Sequence, residues 1–341
     1  MTFKVEYRMI NWLEYNKSDD IVLSTRIRLA RNINNFPFPH KLNEQLAKQL
    51  VADIANTISD DFKLKKMWEI ENKEKNQLLE RNLISSNLIN NSKKSSLFVD
   101  KDEIVSLMIN EEDHVRIQCI AGGFNLNEAF EKADYIDDKL SNNFKYAFDE
   151  QLGYLTACPT NLGTGLRASV MLHIPALSAN NEIPGVITSL QKIGMTIRGW
   201  HGEGSKALGN IFQISNQLTL GFTEEEILDN FKGVVNEIII KELNIREKMR
   251  SNLKWEFDDK VFRALGILKN AILITKNESI KLLSDVRFGL EMGTINGIEK
   301  RTLNKLLIEI QPNSLEKIYN STFNSRERDF HRARLVKERL K

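Results

Sequence analysis

The stretch CPTNLGTGLRASV, from Cys158 to Val170, sets four kinds of chemistry side by side: a thiol, a proline-fixed turn, a loop with Gly163 and Gly165, and a cation at Arg167. Glycines there let the backbone approach a ligand closely or take a positive φ. The run that follows alternates like a strand. Arg167, Ser169 and Met171 then share one face, with Ala168, Val170 and Leu172 on the other. No Gly-Lys-Ser/Thr follows the glycines, so this is not a Walker-type phosphate loop.

Three more stretches carry charged groups on strand-like patterns. IVLSTRIRLARN (Ile21 to Asn32) puts Ser24, Arg26 and Arg28 on one face and Leu23, Thr25, Ile27 and Leu29 on the other. Adjacent arginines on a strand repel unless an anion lies between them, although a solvated edge strand carries such charges too. EIVSLMI and HVRIQCI read as a strand pair joined by Asn110-Glu111-Glu112-Asp113. With an early start to the second strand, Glu112, His114, Arg116 and Gln118 share a face, and Val115, Ile117 and Cys119 face the core, where Cys119 is an inert thiol. Finally RGWHGEG brings Arg198 to a strand end, followed by a loop of Gly199, Gly202 and Gly204 around Trp200, His201 and Glu203. That loop could open and close over a ligand. His201 and Glu203 have no third metal ligand nearby, and the G-x-G lacks a dinucleotide-binding context.

Five guanidiniums (Arg26, Arg28, Arg116, Arg167, Arg198) at strand ends or faces, beside two carboxylate loops and a cysteine, demand an anion of high charge. A nucleoside triphosphate with Mg²⁺ and a transferring phosphoryl group is such a ligand.

The elements that must position them follow from period and punctuation. Residues 1–20 read as an amphipathic helical segment, and FPFP (Phe36 to Pro39) ends the first strand. Helical spacing covers 41–59, 127–144 and the stretch after Pro184, while 60–101, rich in Asn, Lys and Ser, reads as a mobile segment with short strands. Phe212 to Gly221 reads as a strand, and Thr223 with Glu226 as a capping box opening a long helix toward Arg250. Helices near 258–274, 278–291, 299–310 and 326–340 then make a small all-α region, whose last helix is basic but interrupted by acids. The fold class expected is α+β: a mainly antiparallel sheet flanked by helices, with an all-α C-terminal domain.

The totals exclude several classes. The 341 residues exceed one small core, and 48 basic against 46 acidic residues leave +2, with no bulk drive toward nucleic acid or membrane. Two cysteines and five histidines form neither a disulfide framework nor a zinc pattern. No apolar run approaches the ~20 residues of a membrane helix, so the expectation is a soluble, cytoplasmic protein.

Four motifs in this order, STRIR at 24–28, NEEDHVR at 110–116, CPTNLGTGLRASV at 158–170 and RGWHGEG at 198–204, resemble the phosphagen (guanidino) kinases over roughly residues 21–245. The likeness is closer to the bacterial branch that phosphorylates arginine in proteins. The metabolic members carry an N-terminal helical domain of ~100 residues, for which a motif starting at Ser24 leaves no room. RDFHRA (Arg328, Asp329, Phe330, His331, Arg332, Ala333) also looks like that branch's phosphoarginine-binding motif.

The resemblance implies an ATP-dependent protein kinase organised as a segment 1–20, a catalytic domain 21–245 and a helical domain 246–341 for dimerisation and phosphoarginine sensing. It implies nucleotide contacts at Ser24, Thr25, Arg26, Ile27, Arg28, Arg116, Arg167, Ala168, Ser169, Val170, Met171 and Arg198, and on through Gly199, Trp200, His201, Gly202 and Glu203. Glu112 and Glu203 would be the catalytic carboxylates, and Cys158, made thiolate by surrounding cations, would bias charge on the acceptor. Mg²⁺ would be held by phosphates and water, with no protein ligand. Asn82 departs from the histidine this branch prefers near the nucleotide. The implied partners are arginine-bearing proteins including a heat-shock repressor, a small zinc-binding activator, a Clp-type ATPase and protease, and a second copy of the chain. A kinase for a free guanidino metabolite, or a non-catalytic phosphoarginine-binding adaptor, would use the same motifs.

Overall fold

A computed structural model describes residues 21–58, 61–200, 207–252 and 254–341. The segment 1–20 and the residues His201, Gly202 and Glu203 lie outside the described residues.

The strand Val22–Arg31 (β1) runs through the middle of an eight-stranded sheet. Its antiparallel neighbours are Val115–Gly122 (β5) and Leu166–His173 (β8). Outside β5 lie Val105–Ile109 (β4), Ser96–Asp100 (β3) and Phe62–Lys66 (β2); outside β8 lie Ile211–Asn216 (β10) and Met195–Gly199 (β9). Every paired neighbour is antiparallel. A two-stranded hairpin, Phe148–Asp149 (β6) with Gly153–Tyr154 (β7), stands beside it.

Alternation sorts the residues of β1, β5 and β8 onto two unlike faces. Ile27, Leu29, Ile117, Cys119, Ala168, Val170 and Leu172 are buried on one of them. Burying each of the valine, leucine and isoleucine side chains among them contributes roughly 1.5–3 kcal/mol. The helix Leu126–Ser141 (α4) packs on β1 and β5, and Glu224–Asn252 (α7) on β8 and β10. Burial pushes the Cys119 thiol up to about 12, so it stays protonated, as an inert core thiol should.

The helix Glu44–Ile58 (α1) follows the expected spacing, burying Ala47, Leu50, Val51, Ile54 and Ile58. The stretch 60–101 differs from the expectation of a mobile segment. It contains β2, the helices Asn72–Glu80 (α2) and Ser86–Asn90 (α3), and β3. The Asn, Lys and Ser residues hide a sparse apolar set, Met67, Leu78, Leu83, Leu88, Leu97 and Met108, which closes a second small core. Met108 stands opposite Arg116, so this core covers the polar face of the sheet over β3 and β4 and walls one side of the arginines.

Strand β10 also ends earlier than expected, at Asn216. The Asn216 side chain accepts from Ala168 N (2.8 Å) and donates to Leu166 O (3.0 Å) and Leu218 O (3.2 Å), which turns the chain out of the sheet. After Pro175–Ala179 (α5) and Ile183–Lys192 (α6) come β9, β10 and then α7, opened by the Thr223–Glu226 capping box. The C-terminal helices are Lys254–Asn270 (α8), Lys276–Glu291 (α9), Lys300–Glu309 (α10), Pro312–Ile318 (α11) and Ser325–Arg339 (α12). The seven-residue α11 escaped the sequence reading.

A buried charge cluster joins these helices to the sheet. Glu242 of α7 accepts from Ala176 N (3.0 Å) and Leu177 N (2.8 Å) and from Arg246 (2.8 Å). Arg246 and Arg287 pair with Glu291 at 2.9 and 2.7 Å, and His173, at the end of β8, meets Ser284 of α9 at 2.8 Å.

Candidate active site

The register brings the arginines together. Arg28 stands opposite Arg167 on β8 and Gln118 on β5; Arg26 stands opposite Ser169, and Ser24 opposite Met171. Across β10, Ser215 faces Ser169 and Gln213 faces both Met171 and Arg198. Arg116 lies two residues before Gln118, on the same face. Ser24, Arg26, Asn82, Ile120, Ser169, Met171 and Gln213 line a groove over this face. Thr25, Ile27, Ala168 and Val170 alternate to the buried face, where Thr25 donates to Gly123 O (2.7 Å).

Neutral groups tether these cations without discharging them. Arg26 donates to Gln213 Oε1 (2.9 Å) and Ser169 Oγ (3.5 Å), and Arg167 to Ser215 Oγ (3.1 Å). The Nε groups of Arg28 and Arg167 are buried without a hydrogen-bond partner among the described residues. Burial, then Arg167 and Arg116, pushes the Arg26 guanidinium down to about 10. Burial and then Arg26, Arg116 and Arg167 push Arg28 well below the usual arginine range. Arg167 is lowered by burial, then by Arg198 and Arg116, while Cys158 and Glu112 favour its cation. Half-buried like charges with open donors are complementary to a polyanion.

The carboxylate border is built on the tight turn Asn110–Asp113, where Asn110 takes φ 55°. Arg116 pairs with Glu111 at 2.6 Å and with Glu112 at 3.0 Å. The Glu111 side chain is fully buried and also accepts from Ser85 Oγ; that of Glu112 is about one-third exposed at 35%. Glu112 is therefore held from one side by Arg116 and open on the other.

Asp113 ties this turn to the thiol loop. Its Oδ1 accepts from Asn32 Nδ2 and from Ala157 N, both at 2.6 Å, one residue before Cys158. Cys158 is partly exposed, with Sγ 3.0 Å from Thr160 Oγ1. His114 does not join the arginine face. It is buried against Phe36 and Phe38, accepts from Ile33 N (3.0 Å) and meets Pro37 O (2.9 Å), so Nε2 carries the proton.

Arg31 is a further positioning residue that alternation alone did not single out. At 1% exposure it pairs with Asp137 (2.7 Å), stacks on Tyr154 at 3.6 Å and donates to Thr164 O (2.8 Å) in the glycine loop. Its odd position in STRIRLAR was the available signal, since an arginine on the apolar face must find a partner.

Strand β9 brings Arg198 to the far edge of the face, and Trp200 is buried, its backbone N–H donating to Ile211 O (2.9 Å). Arg328 to Ala333 lie on α12, away from the sheet strands in sequence and element. There Arg332 is buried, donating to Ile310 O (2.9 Å) and Ile274 O (3.0 Å) and pairing with Asp329 (2.6 Å). His331 stacks on Phe323 with ring centroids 4.1 Å apart.

Residues 42–245 match the profile of the ATP:guanido phosphotransferase C-terminal catalytic domain. The chain belongs to that family. Residues 254–341 match the "Protein-arginine kinase McsB C-terminal domain". A curated protein-arginine kinase of Clostridium kluyveri is 53% identical over 97% of this chain and 99% of its own length. One from Geobacillus sp. is 45% identical over 97% and 94%. Among solved structures, a lombricine kinase superposes with TM-score 0.60 at 25% identity, covering 68% of this chain and 69% of its own. The duplicated taurocyamine kinase of Schistosoma mansoni gives 0.61 at 26% identity, over 70% of this chain and 36% of its own. Within the family this chain is thus a protein-arginine kinase, a phosphotransferase with the antiparallel catalytic fold of the guanidino kinases and a helical C-terminal region.

Proposed function

We propose that this enzyme moves the γ-phosphate of ATP onto arginine side chains of proteins at the groove over β1, β5, β8 and β10. One observation carries the reading: a face of arginines short of counter-charge borders a carboxylate, Glu112, that is held on one side and open on the other. Ser24 to Arg28, Arg116, Arg167 to Met171 and Arg198 to Glu203 take the nucleotide, with side-chain contacts from the members on the polar face. The Mg²⁺ that accompanies a triphosphate neutralises part of its charge.

An arginine guanidinium with pKa above ~12 is no nucleophile while protonated. Glu112 and Glu203 pair with it, aim one nitrogen in line with the γ-phosphorus and take its proton. The nitrogen–phosphorus bond forms as the bond to the β,γ-bridging oxygen breaks, and that electron pair leaves with ADP. The arginine face stabilises the charge spread over the transferring group. Cys158, partly exposed, sets a polarisable sulfur beside the acceptor.

Arg328 to Ala333 of α12 form the regulatory phosphoarginine site. Buried Arg328 Nε and His331 Nδ1 without partners among the described residues, beside the exposed ring of Phe330, support this. The C-terminal helices carry the homodimer contact. In the cytoplasm the product mark directs proteins to a Clp-type protease and inactivates a heat-shock repressor, with a small zinc-binding protein as activator.

The test offers Mg-ATP with two acceptors, a disordered arginine-bearing protein and free arginine. Label on the protein that acid removes and base spares, absent in Glu112→Gln, is expected. Label confined to free arginine would return the chain to metabolite chemistry. No label on either acceptor, with the zinc-binding activator present, would leave a binding-only protein.

A further inference from the structure

The groove has one wall outside the sheet, and that wall is held from the C-terminal helices. Glu80 ends α2, with its carboxylate against the start of α11. Oε1 accepts from Asn313 N (3.0 Å) and Asn313 Nδ2 (2.7 Å), and Oε2 from Ser314 N (2.7 Å) and Ser314 Oγ (2.8 Å). Four donors from one helix start fix the carboxylate in both position and rotation. A second tie, Lys73 to Glu316 at 3.5 Å, joins the same two helices.

Two residues beyond Glu80, Asn82 takes φ 60° and lines the groove with Ser24, Arg26, Ser169 and Gln213. Its carbonyl accepts from Gln118 Nε2 (2.9 Å), on the strand and face that carry Arg116. On the other side, Arg332 donates to Ile310 O, the residue after α10 and two before Pro312. Contacts therefore run without a gap from α12 through Ile310 and α11 to Glu80, Asn82 and the arginine face. Leu78, Leu83 and Ile84 seat this turn in the small core, and the grip of α11 on Glu80 adds an anchor two residues before Asn82.

We propose that Glu80 is a positioning residue for the nucleotide: it sets the groove wall from the C-terminal helices, so that nucleotide affinity depends on how α11 and α12 sit. The proposal rests on reading the groove as the nucleotide site. Coupling of this kind is reciprocal, so nucleotide in the groove steadies α11 and α12 in return.

The test uses the full chain with Glu80→Gln, whose amide nitrogen meets donors where a carboxylate oxygen accepted. KM for ATP should rise about tenfold, the scale of losing one or two such bonds. The kcat and the KM for a polypeptide acceptor should stay within about twofold of the parent's. Amide exchange in α11 and α12 should slow when a non-hydrolysable ATP analogue binds the parent, and not in the variant. Ser314→Ala, which removes one donor, should show the same pattern at smaller size and stands in if Glu80→Gln does not fold. An unchanged KM for ATP, or equal rises for ATP and acceptor, would overturn the proposal. A parent that neither binds the analogue nor labels an acceptor would instead refute the nucleotide reading itself.

Discussion

At the scale of single residues, the arginine face is built against the stability of the resting fold. Arg28 is half-buried, its buried Nε has no partner among the described residues, and desolvation with three neighbouring arginines lowers its pKa well below the usual range. The sign is clear. A cation whose folded pKa is depressed destabilises the fold while it is charged, and the penalty fades only as pH rises through the folded pKa toward the unfolded value. Arg28→Met, which keeps the stem and drops the charge, should therefore lower kcat/KM for ATP by ~10²–10³. It should also raise the nucleotide-free melting temperature, by about 2–4 °C for each kcal/mol relieved. A variant that loses activity and melts lower would show that Arg28 supports the fold instead.

At the scale of elements, three chain segments are stacked through glycine. Gly163 takes φ 108°, and a Cβ there would run into Thr219 O and come within 2.7 Å of Leu220 Cα. Gly163→Ala should cost about 1–3 kcal/mol in a denaturation experiment and reduce acceptor turnover, because this loop carries Cys158. Gly185→Ala in α6, with nothing within 4 Å, should be neutral or stabilising by roughly 0.5–1 kcal/mol. If both substitutions behave alike, the loop is slack and the stacking unimportant.

The same scale shows what could be read in advance. Period-two alternation was enough to put Ser24, Arg26, Arg28, Arg116, Arg167 and Ser169 on one face, because a one-residue slip would bury the charges. The turn carrying Glu112 and the Thr223–Glu226 cap were legible for the same local reasons. The roles of Asp113, His114 and Arg31 were not, since each is defined by a partner far along the chain: Ala157, Ile33 and Asp137. The wall formed by α2 was hidden as well. Its core residues are few and scattered among polar ones, and only the fold shows that Glu80 meets α11.

At the scale of the whole molecule, the helices after α7 are joined to the sheet by buried charge as well as by packing. Glu291 of α9 receives Arg246, Arg287 and the His173 ring at 2.9, 2.7 and 3.5 Å, all of them buried. The two arginines and the histidine hold the Glu291 pKa down against the upward push of burial, so it stays ionised. Glu291→Ala leaves buried Arg287 without a carboxylate and Arg246 with Glu242 alone, and should cost about 3–5 kcal/mol. Amide exchange measured along the chain should quicken in both β8 and α9. Quickening confined to α9 would mean that the C-terminal helices unfold on their own and that the joint transmits nothing.

The crowding of like charge over β1 and β8 has a thermodynamic counterpart. Any small multivalent anion that fits among the guanidiniums binds the folded chain and not the unfolded one, so it acts as a stabiliser in proportion to RT ln(1 + [L]/Kd). The melting curve of this protein is therefore a property of its buffer: phosphate or sulfate should shift it upward, and chloride at equal ionic strength should not. A cell's free phosphate and nucleotide pools then act as part of the fold, holding together a surface that the polypeptide by itself leaves in tension.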